Sequence, residues 1–261
     1  MTGEHSQDRR SGGLTADIAL QVLGRFDLTV NGVSLELPVQ VQKVLAFLAL
    51  HPGSQPRDRV AEQVWPDADL RHCRGSLRTV LWRVRQLGPD VVSAPRGSIA
   101  LGPCVRVDLD EGWVVLKDIL DGRPVDAERA VLLLSQRLLP DGDDAWALLE
   151  QERVQQMYVH GLETLSRRLT AEGQYAYAMQ AARAACRMEP MRESARRAVI
   201  EVHLAEGNRA EAQRVYQDFR RLLQEEMGIE PSAQLASARS AQPRSYRRSC
   251  VRTRVRPRIR T

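Results

Sequence analysis

The chain has 261 residues, 43% of them hydrophobic and 27% charged, which is the balance of an ordinary globular protein of one or two domains. No apolar run approaches the ~20 residues that span a bilayer, and the polar first 17 residues lack the apolar segment of a secretory signal, so the sequence predicts a cytoplasmic protein. The net charge of +5 misleads: residues 237–261 carry nine arginines and no acid, and without them 29 basic residues face 33 acidic ones, a net of −4, so whole-chain basicity is no argument for a nucleic-acid partner.

Residues 1–17 are expected to form a disordered arm. Apolar residues then alternate in three runs, Ile18, Leu20, Val22, then Phe26, Leu28, Val30, then Val33, Leu35, Leu37, which predicts a small antiparallel sheet. Asn31-Gly32 lies between two of these runs, and both residues tolerate the positive φ of a type I′ hairpin turn. After Pro38 the period lengthens to about 3.6. Val41, Val44, Leu45 and Leu48 form the stripe of a first helix that Pro52-Gly53 ends. Pro56 opens a short second helix with Val60, Val64 and Trp65 turned inward, and Pro66-Asp67 stops it. A third helix is predicted over 71–87, closed by Gly88-Pro89. Val91, Val92 and Ser93, the turn Pro95-Arg96-Gly97, and Ile99, Ala100 and Leu101 suit a short hairpin. Sheet, three helices and a terminal hairpin is the order of parts in a winged helix.

From residue 108 the pattern is helical, with segments near 110–120, 126–138, 145–170, 174–188, 191–205 and 208–227. Ala171-Glu172-Gly173 recurs 34 residues later as Ala205-Glu206-Gly207, and Ala176 and Ala178 recur as Ala210 and Ala212. That period is the tetratricopeptide signature, with alanines expected where paired helices approach closely. The predicted fold is therefore mainly α: a winged helix of α+β type over 18–107, an all-α tetratricopeptide-like repeat domain over 108–236, and an arginine-rich disordered tail over 237–261.

The chemistry concentrates on the third helix. Arg71, Arg74, Arg78, Arg83 and Arg85 lie within it, with no acid among them. Leu77, Val80, Leu81, Val84 and Leu87 gather on one face, while Arg71, Arg74, Arg78, Trp82 and Arg85 follow a spacing of 3, 4, 4 and 3 on another. A merely solvated helix usually mixes signs, since like charges one turn apart repel, so a partner is expected to supply the counter-charge. Such a helix fits the major groove of double-stranded DNA, where arginine can hydrogen-bond guanine with both ends of its fork. Arg74, Arg78 and Ser76 are the candidate base contacts, Arg83 and Arg85 the phosphate contacts, and Thr79 a further DNA-binding candidate. Trp82 has two readings, packing on the sugar edge or filling a gap against the wing. Arg96, at the hairpin tip, is either a minor-groove or phosphate contact or an ordinary exposed turn residue. Lys43 is a further candidate for a phosphate.

Other chemistry finds little support. Cys73, Cys104, Cys186 and Cys250 are scattered, and His72 beside Cys73 points away from it on a helix, so no disulfide framework or metal site is expected. No phosphate loop and no catalytic triad motif occurs, Asp141-Gly142-Asp143-Asp144 lacks the rest of a calcium loop, and neither an enzyme nor a cofactor is predicted.

RGSLRTVLWRVRQLG at 74–88, VNGVSLEL at 30–37 and EEMGIEPSAQL at 225–235 together resemble the Streptomyces antibiotic regulatory protein family over roughly residues 18–235. The resemblance implies a response-regulator-type winged helix followed by a bacterial transcriptional activator domain. It implies an activator of a secondary-metabolite gene cluster that binds direct repeats near promoters as a homodimer and recruits RNA polymerase with its sigma factor. The arginine helix falls where that family places its recognition helix. Trp65, Pro66, Asp67, Ala68 and Asp69 fall where related winged helices contact the polymerase, although a plain interhelical loop reads the same. Without GxxxxGK[ST] the chain corresponds to the short form, which has no ATPase domain. The tail departs from the family ending. With 36 arginines against two lysines in the chain, which suggests a GC-rich genome, it reads as a non-homologous, disordered end of the kind a frameshift or truncation leaves, the alternative being a non-specific nucleic-acid arm. The rival reading of the whole is a tetratricopeptide adaptor acting through protein contacts alone.

Overall fold

The structure, a computed structural model, describes residues 16–88 and 91–238. Most of the predicted arm, Pro89, and the arginine tail from 239 onward therefore lie outside the described residues.

Strands β1 (Ile18–Gln21), β2 (Asp27–Val30) and β3 (Val33–Ser34) pair antiparallel in sequence. Val30 opposes Val33, so Asn31-Gly32 is a two-residue turn, with φ values of 52° and 80°. The last predicted run shortens to two residues, because beyond Ser34 only the Leu35 amide bonds back, to the Leu28 carbonyl. A strand the alternation did not predict, β7 (Val105–Val107), pairs parallel with β1 and gives the order β3-β2-β1-β7. The predicted arm is also shorter than expected: Asp17 belongs to the fold, its amide bonded to Asn31 Oδ1 at 3.0 Å and its carboxylate to Arg106 at 2.6 Å.

Helices α1 (Val39–Leu50), α2 (Arg57–Val64) and α3 (Leu70–Leu87) follow, with β5 (Val92–Ser93) and β6 (Ser98–Leu101) as the hairpin. The two-residue β4 (Gln55–Pro56) joins this hairpin in the order β4-β6-β5 and so ties the wing to the start of α2. This is a winged helix.

The remaining helices are α4 (Asp108–Leu120), α5 (Ala127–Leu134), α6 (Ala145–Ala171), α7 (Tyr175–Met188), α8 (Glu193–Ala205), α9 (Arg209–Met227) and α10 (Ala233–Ala238). The 34-residue repeat is visible in the backbone. Gly173 and Gly207 both take positive φ, and the amides of Gln174 and Asn208 bond the carbonyls of Leu169 and His203 at 2.9 and 2.8 Å. Ala178 and Ala212 are buried as expected, but Ala176 and Ala210 are exposed and play no part in close approach. In the EEMGIEPSAQL segment Gly228 ends α9 in the left-handed region, Glu230 grips Arg220 at 2.6 and 2.9 Å, and Ser232 bonds Glu193 on α8. The motif thus folds the chain back so that Leu235 of α10 is buried beside Ile200 of α8.

The winged helix and the helical part as far as α8 share one apolar core, while Ile200 and Leu204 of α8 pack with α9 and α10 in a second. Buried residues from Ile18 to Val202 form a continuous cluster, and Phe47 of α1 meets Trp146 of α6 edge-on at 5.3 Å. Helix α5 stops at Leu134, short of the predicted 138, because the chain must turn to reach the sheet: Leu138 bridges Leu23, and the Leu139 amide bonds the Val22 carbonyl at 2.8 Å. Asp108 at the start of α4 completes this seam. Its Oδ1 and Oδ2 accept the buried amides of Val22 and Leu23 at 2.9 and 3.1 Å, and burial nonetheless pushes the carboxyl above its usual range. Asp108→Ala leaves both amides without an acceptor and should destabilise the fold by about 2–4 kcal/mol, read as a lowered denaturation midpoint with unchanged slope. Among the described residues no helix is long and apolar enough to cross a membrane.

Candidate nucleic-acid interface

Helix α3 is anchored at its start and along one face. Asp69 caps it, its carboxylate accepting the His72 amide at 2.9 Å, and the Cys73 thiol points into the preceding loop toward the carbonyls of Trp65 and Ala68, both at 3.3 Å. Cys73, Leu77, Val80, Leu81 and Val84 are buried. Those apolar contacts fix the rotation of the helix, and therefore which residues face out.

The outward face carries Arg71, Arg74, Arg78, Thr79, Trp82, Arg83 and Arg85, all exposed, with Ser76 at its partly buried margin. Among the described residues Arg71, Arg78, Arg83 and Arg85 take part in no ion pair. Arg74 differs. Its Nε and Nη2 grip both carboxylate oxygens of Asp58 on α2, at 2.7 and 2.6 Å. That hydrogen-bonded pairing holds the Asp58 carboxyl below its usual range and raises the Arg74 guanidinium further. The arginine strip is therefore not wholly uncompensated: one of its five charges is answered from α2.

Trp82 is 62% exposed, which removes the reading in which it fills a gap against the wing. Thr79 donates its hydroxyl to the Gly75 carbonyl at 3.1 Å, so its oxygen faces outward as an acceptor only. Arg96 is exposed at the wing tip, beside Gly97 with φ of 78°. Lys43 lies elsewhere. Its Nζ bonds Asp144 Oδ1 at 2.8 Å across the seam between α1 and α6, so it fastens the two halves of the molecule. In the loop 65–69, Pro66 and Asp67 are exposed, whereas Trp65 packs partly against the core and Asp69 is committed to its cap.

Two residues of this region went unread in the sequence. Arg57 steadies the wing: its backbone amide donates to the Gly97 carbonyl at 3.1 Å, and its guanidinium reaches the carbonyls of Ser98 and Ala94 at 3.5 and 3.4 Å. Asp58 holds Arg74. Their spacing from their partners is set by the crossing of α2 with α3 and the wing, which periodicity does not report. Among the described residues no three metal-ligating side chains come together.

Comparison with known proteins bears on the helical half first. Residues 117–241 match the model of the bacterial transcriptional activator domain. Among solved structures the chain resembles one described as Mycobacterium tuberculosis EmbR in complex with a low affinity phosphopeptide, with a TM-score of 0.64 at 20% identity. The match covers 87% of this chain and 65% of that one, so the chain spans somewhat less than two thirds of that protein's length, and at this identity the likeness is one of fold. A search of curated proteins returns no match.

Proposed function

We propose that this chain, a transcriptional activator of the Streptomyces antibiotic regulatory protein type, binds double-stranded DNA by placing α3 in the major groove. One observation carries the reading. The face of α3 that the core does not hold presents Arg71, Arg78, Arg83 and Arg85 without a counter-charge among the described residues, on a helix whose buried face fixes its rotation. Arg78 and Ser76 are assigned to base edges, Arg83 and Arg85 to phosphates, and Arg96 of the wing to the adjacent strand. Arg74, gripped by Asp58, takes part by presenting its remaining nitrogen or by exchanging partners. In this reading the protein works in the cytoplasm as a homodimer on direct repeats near promoters, recruits RNA polymerase and its sigma factor through Pro66 and Asp67, and switches on a biosynthetic gene cluster.

A salt titration tests it. Affinity for duplex DNA should fall steeply with salt, with a log–log slope near −0.9 per neutralised phosphate. The titration should be run on the whole chain and on a chain ending at Ala238, so that the arginine tail cannot supply the signal. Absent or salt-independent binding by the shorter chain overturns the proposal.

Trp82→Ala separates surface from core. With so much of its ring exposed, the substitution should leave the melting temperature unchanged within a degree or two, while DNA affinity falls several-fold through loss of packing on the sugar edge. A melting curve and a DNA titration on the same preparation check both halves.

A further inference from the structure

Gly75 sits inside α3, six residues after the cap Asp69, where glycine costs a helix roughly 1 kcal/mol relative to alanine. Nothing within the described chain requires it there. Its φ is not in the left-handed region, and a Cβ built on it would meet no atom within 4 Å. The glycine is thus a local cost with no internal compensation.

Its position is informative. At ~100° per residue, Gly75 falls four residues after Arg71, three before Arg78 and seven before Trp82, which places it at the centre of the outward face, opposite buried Leu77, Val80 and Val84. Arg71, His72, Arg78 and Thr79, each one turn away, surround a position that has no side chain, with Trp82 two turns on. The interface therefore has a notch where the helix backbone itself is the surface.

We infer that Gly75 is a close-approach residue for DNA, at which the backbone of α3 rests against the base edges on the floor of the major groove. The inference builds on the DNA-binding reading above. A helix with side chains is ~10–12 Å across and the groove ~12 Å wide, so an extra side chain at the centre of the inserted face holds the helix out. Gly75 also lies in the amino-terminal half of the helix, the part that enters deepest in helix-turn-helix docking. Set back from the floor, Arg78 no longer reaches guanine while its longer-range attraction to phosphate persists. Gly75 therefore acts on sequence preference as well as on affinity.

The test uses the full chain in three forms, wild type, Gly75→Ala and Gly75→Gln. Wild-type protein first selects duplexes from a randomised pool, and melting temperatures and affinities for the selected duplex are then measured for all three. Both variants should melt higher than wild type, by roughly 2–4 °C for alanine. Affinity should drop about tenfold for alanine and further for glutamine, with the ratio of selected to random duplex binding falling alongside. If Gly75→Ala binds the selected duplex as tightly as wild type, close approach is wrong. If it melts lower than wild type, the glycine has an internal structural role and the inference also fails. If wild-type protein selects no duplex, the DNA-binding reading itself falls, which is a different outcome from either.

Discussion

Replacing Arg78 with alanine should weaken binding to the preferred duplex by about 1–3 kcal/mol, roughly five- to 150-fold in Kd, and leave unfolding where it was. The side chain is exposed, has no ion-pair partner among the described residues, and follows Gly75 by one turn on the outward face. Truncating it therefore breaks nothing inside the protein, and alanine is at least as good a helix former. On DNA the loss is specific, because a two-ended hydrogen bond to guanine is available only at the right base pair. Arg83→Ala, farther along the helix, should instead lower affinity for all sequences alike and reduce the salt slope by about one. Arg74→Ala should fall between the two, since the guanidinium it removes is already bonded to Asp58 and part of its cost appears as a lost intramolecular pair. Binding measured on selected and random duplexes at two salt concentrations distinguishes the three. Wild-type affinity in both Arg78→Ala and Arg83→Ala would show that α3 is not the reading helix.

How far this interface could be read from sequence depends on the range of each interaction. The face of α3 was legible because Leu77, Val80, Leu81 and Val84 repeat with the helix period, and Asn31-Gly32 was legible because a type I′ turn selects those residues locally. What escaped was short or distant. Strands β4 and β7 are two and three residues long, too short to alternate, and each exists only because a partner strand more than 40 residues away supplies its hydrogen bonds. Lys43 looks like a phosphate contact in isolation, and only its approach to Asp144, 101 residues on, gives it another partner. Asp58 and Arg57 carry no pattern of their own. Even within the repeat, identical spacing placed Ala178 and Ala212 in the core but left Ala176 and Ala210 in solvent, since periodicity fixes a register and packing decides which positions of it are buried.

The same limit governs the contact between α4 and α6, where a second large stability effect is expected. Gly112 of α4 and Gly161 of α6 each face a large side chain of the other helix, Tyr158 and Leu116 respectively. Added atoms would not be tolerated equally. At Gly161 a methyl would strike the far end of the buried but flexible Leu116 side chain and come within 3.4 Å of Leu134 Cδ1. At Gly112 it would fall on the Tyr158 hydroxyl and lie 2.9 Å from ring carbon Cζ. That ring is fully buried and meets Trp113 edge-on at 5.8 Å, so it has nowhere to go. Gly112→Ala should therefore cost about 2–3 kcal/mol, even after the helix-propensity gain of alanine, and lower the melting temperature by roughly 5–10 °C. The Tyr158 hydroxyl also has no hydrogen-bond partner among the described residues, and burial, with the charges of Asp108 and Asp110 nearby, pushes its pKa well above the usual phenol range. Tyr158→Phe should thus be neutral or stabilising by about 1 kcal/mol, since it removes a buried donor that gains nothing from burial. Combined, the two substitutions should cost about 1 kcal/mol less than the sum of their separate effects, read as the coupling in a double-mutant cycle. Simple additivity would place the strain somewhere other than the hydroxyl. Because α4 begins at Asp108, which holds the end of β1, loosening this crossing should also weaken the seam that fixes the winged helix to the helical part.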